Sequence, residues 1–124
     1  MTAHIVVPAL DPEHCSTLSK KTLSYLRNEM GFRGVIISDS LVMEGVLKKC
    51  HTVDEAAVQA LEAGCDILIL GGKLLVGTHK NFELSVNDMK RIHGSIVQAV
   101  KSGRLSEEFI NQAVERVLKL KNSH

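Results

Sequence analysis

Two short apolar runs, Gly34-Val35-Ile36-Ile37-Ser38 and Asp66-Ile67-Leu68-Ile69-Leu70, constrain this chain more than anything else in it. Neither alternates polar with apolar residues, so each suits a strand covered on both faces, as in a parallel sheet flanked by helices. Helical patterns stand between and around them. Ser19 is a good N-cap for a helix over about Lys20 to Met30, with Gly31 as its stop, and Leu23, Leu26 and Met30 form a stripe with the Arg27 stem at its edge. Thr52, with Glu55 three residues later, reads as a capping box opening a helix that ends at Gly64. Ala56, Ala57, Ala60, Leu61 and Ala63 give that helix small faces that pack closely. A loop or short helix is expected around Val42 to Lys48.

The ends of the chain extend this pattern. Met1 to Val7 looks like the end of a further strand, followed by a loop marked by Pro8 and Pro12. After Gly71-Gly72 a polar connection covers about Lys73 to Asn87. A helix then runs to about Ser102, with Met89, Ile92, Ile96 and Val100 on one face and Gly103 as its stop. Ser106 caps a last helix whose stripe is Phe109, Ile110, Ala113, Val114, Val117 and Leu118. Glu107 and Glu108 suit the positive end of its dipole, and Lys119 and Lys121 the negative end. The alternation of strand and helix predicts an α/β fold of about three parallel βα units plus a C-terminal helix. Three strands leave both sheet edges open, and Met1 stands inside the first extended run. The expectation is therefore a part of a larger sheet.

Composition narrows the function. The 124 residues carry a formal charge of +1, which gives no global pull toward nucleic acid or an anionic membrane. Aromatics are 3% with no Trp, which argues against stacking platforms for bases or sugars. No apolar run approaches the roughly 20 residues of a membrane span, and the start shows no signal-peptide pattern. Cys15, Cys50 and Cys65 are widely spaced without a CxxC pair, which fits a reducing compartment and a cytoplasmic location. The histidines, His4, His14, His51, His79, His93 and His124, show no paired ligand spacing, so neither a metal nor a cofactor is expected.

Asp39 is the candidate chemical group. It closes the first apolar run, and a carboxylate at the end of a buried strand stands where parallel α/β folds keep catalytic groups. It could equally start the turn that follows. Its surroundings resemble a known family. Thr2-Ala3-His4 with Pro8, Thr17-Leu18-Ser19, Gly31-Phe32-Arg33-Gly34-Val35-Ile36, Ser38-Asp39 with Leu41 and Met43, Glu55-Ala56-Ala57 and Ala63-Gly64-Cys65-Asp66-Ile67-Leu68 stand in that family's order. So do Val100-Lys101-Ser102-Gly103-Arg104-Leu105-Ser106 and Val114-Glu115-Arg116-Val117-Leu118. Together they resemble the C-terminal part of the catalytic barrel of family 3 glycoside hydrolases, in the branch of the bacterial β-N-acetylglucosaminidases of peptidoglycan recycling.

The resemblance implies a partial TIM (β/α)8 barrel, a carbohydrate substrate and retaining hydrolysis, with Asp39 as the nucleophile that forms a glycosyl-enzyme. Ser40-Leu41-Val42-Met43 follows the aspartate where the family's glucosidases often carry Trp, which is similar to the N-acetylhexosaminidase branch. His4 is expected to line the pocket, against the plainer role of a structural histidine at a strand end. Met43 is expected beneath the sugar, against core filling. Glu44 is not expected to be the acid, because the family carries its acid/base group and its sugar-holding Lys and His segments upstream of the part resembled here. With the nucleophile alone, the isolated chain is expected to be inactive, as a truncated gene product or an expressed fragment would be. The competing reading is a non-catalytic remnant or interaction protein that pairs through its open sheet edges, with another copy or with the missing barrel segments. A third, a phosphate site at Gly71-Gly72, lacks any Walker or Rossmann glycine pattern.

Overall fold

The computed structural model describes residues 1–71, 73–74 and 82–123. Its elements in order are β1 (Val6–Val7), β2 (Asp11–Cys15), a 3-10 turn (Ser16–Leu18), α1 (Lys20–Ser24) continued by a π turn (Tyr25–Glu29), β3 (Ile37–Ser40), α2 (Glu44–Cys50), α3 (Val53–Ala63), β4 (Ile67–Ile69), β5 (Lys73–Leu74), β6 (Phe82–Glu83), α4 (Val86–Lys101) and α5 (Glu107–Asn122). β3 and β4 pair in parallel, with Ile37 opposite Ile67 and Ser40 opposite Ile69.

The helix ends follow their local chemistry. The Ser19, Thr52 and Ser106 hydroxyls accept the N–H groups of Thr22, Glu55 and Phe109. Gly31, Gly64 and Gly103 all hold positive φ after their helices. At Gly64, with φ 124°, any side chain would be strained. The Thr52 box closes on one side only, because the Glu55 carboxylate turns to Arg104 at 2.6 Å. The full reciprocal box is at α4, where Ser85 and Asp88 cap each other.

Three expectations are corrected. The chain's first segment is not a parallel strand. A turn at Pro8 to Leu10, closed by the Leu10 N–H on the Val7 carbonyl, folds β1 back antiparallel onto β2. The first residues lie alongside β3 through one backbone bond, the Thr2 N–H on the Ile37 carbonyl at 2.8 Å, and through the side chains of Thr2 and His4. Among the described residues there is thus one parallel pair rather than three parallel strands. Second, β3 begins at Ile37 and runs to Ser40, later than the apolar run suggests. The Gly34 carbonyl is occupied by Arg27, and the ladder starts where the Ile36 carbonyl accepts the N–H groups of Asp66 and Ile67. Third, the stripe of α5 is only partly covered: Ala113 is buried, while Phe109, Val114 and Leu118 are exposed. The expected Lys73 to Asn87 connection contains β5 and β6, and its residues 75–81 lie outside the described residues.

The core centres on α3. Ala56, Ala57 and Ala60 have no exposed surface, and they let α3 approach α1, α2, α4 and the 3-10 turn closely. Leu41, Val42 and Val46, on the connection after β3, are sealed in the same cluster with Leu18, Leu23 and Ile36. Ile92 and Ile96 of α4 pack there as the periodicity predicts, while Met89 is exposed. A second, smaller cluster of Val58, Leu61, Ala99 and Leu105 joins α3 to α4 and to the start of α5. No helix among the described residues is long and apolar enough to cross a membrane.

Candidate active site

Asp39 is the third of the four residues of β3, half-buried at the strand's C-terminal end. Its Oδ1 accepts the Ser40 N–H at 2.7 Å, and its own N–H donates to Thr2 Oγ1 at 3.2 Å. Oδ2 has no hydrogen-bond partner among the described residues. The carboxylate is therefore anchored by one oxygen and open at the other. The carbon backbone behind it is firmly held, because the Leu41 N–H bonds the Ile69 carbonyl and the Ser40 hydroxyl donates to the Gly71 carbonyl at 2.7 Å.

His4 belongs to the same cluster. Its Nε2 lies 2.7 Å from the Ser40 carbonyl oxygen. A carbonyl only accepts, so Nε2 carries the proton and Nδ1 is left as an acceptor in the neutral ring. The Cys15 thiol lies 4.0 Å from that Nδ1, a weak contact from β2. His4 thus bridges the N-terminal segment to the strand end through a backbone atom, one residue past Asp39. Met43 is less closely joined. It stands at the N-cap of α2, exposed, and reaches the cluster through its N–H on the Ser40 carbonyl at 3.5 Å. Glu44 pairs with Lys48 at 3.1 Å on the exposed face of α2. Of the glycine pair, the Gly71 carbonyl serves Ser40, and Gly72 lies outside the described residues. His79 and His124 lie outside them too.

Sequence reasoning missed the polar framework below the strands. The Asp66 carboxylate, nearly sealed, accepts from Arg27 Nη2 at 2.6 Å, Arg116 Nη1 at 2.8 Å and the Ile36 N–H at 2.8 Å. It gathers α1, β3 and α5 around the start of β4. Arg27 offered only an apolar stem by periodicity, since its partner lies far along the chain. Asp11 is the second such acid. Its carboxyl is pushed down to about 2, chiefly by the Ser19 hydroxyl at 2.7 Å and then by the N–H groups of Glu13 and His14, against the opposing cost of desolvation. The signal for it was the N-cap Ser19, whose hydroxyl serves both the helix and this acid. A cavity of about 370 Å³ opens between α1 and α5, walled by Arg27, Phe32, Phe109 and Arg116, and Asp39 is not part of it. No group of three or more His, Cys, Asp or Glu side chains suited to a metal ion occurs among the described residues.

Comparison with known proteins converges on one group. The beta-hexosaminidase of Nitrosomonas eutropha is 41% identical over 70 residues, which cover 56% of this chain and 20% of that protein. Beta-hexosaminidase A of Pseudoalteromonas piscicida is 29% identical over 133 residues, covering 98% of this chain and 21% of its own length. Among solved structures, a glycoside hydrolase family 3 beta-N-acetylglucosaminidase from a Paenibacillus species superposes with a TM-score of 0.80 at 36% identity, over 98% of this chain and 21% of that one. The chain thus spans about a fifth of the length of the curated relatives it matches. The family model described as the glycosyl hydrolase family 3 N terminal domain matches residues 1–120, and the chain belongs to that family.

Proposed function

We propose that this chain carries the nucleophile region of a retaining β-N-acetylglucosaminidase, with Asp39 as the nucleophile. The observation that supports this reading best is the Asp39 carboxylate itself, at the C-terminal end of a parallel strand, with one oxygen anchored by Ser40 and the other without a hydrogen-bond partner among the described residues. That is the geometry an attacking carboxylate needs. One oxygen fixes the orientation and the other attacks the anomeric carbon of a terminal β-N-acetylglucosaminide as the glycosidic C–O bond breaks, the aglycone leaving with a proton from a general acid. The glycosyl ester so formed is then released by water. The names of the relatives, beta-hexosaminidase and beta-N-acetylglucosaminidase, support the substrate class.

The parallel β3–β4 pair with α2 and α3 between its strands fits one βα repeat of a barrel, and the reading takes the chain as the C-terminal part of a TIM barrel. Retaining chemistry also needs an acid on the other side of the glycosidic oxygen, with its reactive group about 5 Å from the nucleophile. No described carboxylate plays that part beside Asp39: Glu44 is paired on a helix face, and Asp66 and Asp11 are locked in their own networks. The isolated chain is therefore inactive in this reading, and the acid comes from barrel segments beyond it. In this reading His4, bonded to the Ser40 carbonyl, lines the sugar pocket of the complete barrel, with the exposed Met43 close by. The reduced, buried cysteines fit the cytoplasm. The alternative, a non-catalytic partner-binding remnant, draws on the exposed apolar residues Ile5, Val6, Val114 and Leu118, which offer a surface for another chain.

The test is hydrolysis of a chromogenic β-N-acetylglucosaminide by the chain alone and by the chain mixed with a segment supplying the remaining strands. The expected result is no turnover alone, turnover in the mixture, and its loss in Asp39→Ala. Turnover that survives Asp39→Ala would remove the nucleophile assignment. A mixture that never gains activity while the chain self-associates in sedimentation would favour the non-catalytic alternative.

A further inference from the structure

The strand that bears Asp39 is irregular where Asp39 stands. Ile37 faces Ile67 and Ser40 faces Ile69, so between these two pairings β3 carries one residue more than β4. This extra residue makes a bulge, and a bulge re-aims the side chains around it. Its cost is a local loss of ladder bonds, which must be met by other groups. Here they are met by hydroxyls. On one flank, Ser38 Oγ accepts the Ile69 N–H at 2.9 Å. On the other, Thr2 Oγ1 accepts the Asp39 N–H at 3.2 Å. Ser38 is fully buried. Thr2 is braced from behind by a 2.8 Å hydrogen bond to the hydroxyl of Thr17, which is also fully buried.

We propose that Thr2 and Ser38 are positioning residues for Asp39: their hydroxyls hold the β3 bulge open on both flanks and so set the direction of its free carboxylate oxygen. The inference rests on the reading of Asp39 as nucleophile, but the two are separable. Neither hydroxyl contacts the carboxylate; each acts through the backbone. Three different segments share the work, since Thr2 comes from the N-terminus, Ser38 from β3 itself, and the N–H that Ser38 receives from β4. A strand end fixed by side chains can hold a bulge that a pure backbone ladder would iron out.

The experiment is amide hydrogen exchange on the chain, followed residue by residue, in Thr2→Val, Thr2→Ser and Ser38→Ala. Thr2→Val keeps the shape and removes the acceptor. It should speed exchange at Asp39 by about tenfold, in line with one net hydrogen bond, and leave Ile69 unchanged. Ser38→Ala should do the reverse, and Thr2→Ser should restore the parent pattern at Asp39. In the complemented mixture Thr2→Val should lower kcat with KM unchanged, and Thr2→Ser should recover it. Unchanged exchange at Asp39 in Thr2→Val, with the parent's melting temperature, overturns the proposal. Should Ser38→Ala fail to fold, the two Thr2 variants decide it alone. Loss of activity on Asp39→Ala is a separate measurement, so failure of the nucleophile reading leaves its own trace.

Discussion

α3 and α5 have equally clear apolar stripes in sequence, yet they are held in different ways. α3 is largely enclosed: Ala56, Ala57 and Ala60 have no exposed surface and pack toward α1, α2, α4 and the 3-10 turn. α5 keeps only Ala113 buried, and Phe109, Val114, Leu118 and Leu120 face outward. Within this chain α5 is fastened by Ala113, by Ile110 on the second cluster, and by a buried charge contact, the Arg116 guanidinium on the nearly sealed Asp66 carboxylate. The contrast teaches that an amphipathic pattern predicts a helix and its sticky face, but not whether that face is covered by the same chain. Packing of small residues resists volume change, whereas a buried charge contact resists loss of a partner.

The largest effect should come from breaking the polar fastening. Asp66→Ala leaves Arg27 and Arg116 without their shared carboxylate and should cost about 3–5 kcal/mol, read by denaturant unfolding. Exchange protection in α5 should fall before that in α3. Equal loss in both helices would erase the distinction drawn between them. Next in size is Ala60→Leu, which forces extra methylenes into the tightest face of α3. It should cost about 1–3 kcal/mol by the same measurement. A neutral result would mean that α3 is not close-packed where it has no exposed surface.

The third effect is on pH. The Asp11 carboxyl is held at about 2 against its ordinary 3.8, first by the Ser19 hydroxyl at the start of α1. The folded state binds this proton more weakly than the unfolded one. Its stabilising contribution is therefore complete above 3.8 and fades as pH falls toward about 2. Ser19→Ala should shift the acid-unfolding midpoint, followed by circular dichroism, to higher pH; an unmoved midpoint would detach Asp11 from acid stability. The smallest effect belongs to the open face of α5. Leu118→Ser should change unfolding stability by no more than about 0.5 kcal/mol, since the side chain is already half in water. A larger loss would show that the face is covered in solution.

Local features of this fold were legible in the sequence. Ser19, Thr52 and Ser106 cap their helices and Gly64 ends its own, because a cap needs only residues three or four apart. Asp39 was legible as an acid at a strand end for the same reason. Long-range pairing was not. Nothing within Met1 to Val7 reveals that β1 turns back onto β2, and nothing near Arg27 announces Asp66, 39 residues away. The β3 bulge escaped because a bulge is a mismatch between two strands and exists in neither alone. Thr2 and Ser38 looked like ordinary small polar residues until the backbone groups they serve were brought beside them.

The three free cysteines, Cys15, Cys50 and Cys65, are all buried. The Cys65 thiol donates to the Thr17 carbonyl at 3.7 Å, and burial pushes its pKa up to about 12. Such a group is a thiol rather than a thiolate at neutral pH and is closed to reagents while the core is intact. The molecule therefore carries a built-in clock for its own opening. The rate at which a thiol reagent captures Cys65 reports how often the segment between α3 and β4 comes apart, without any substitution in the chain.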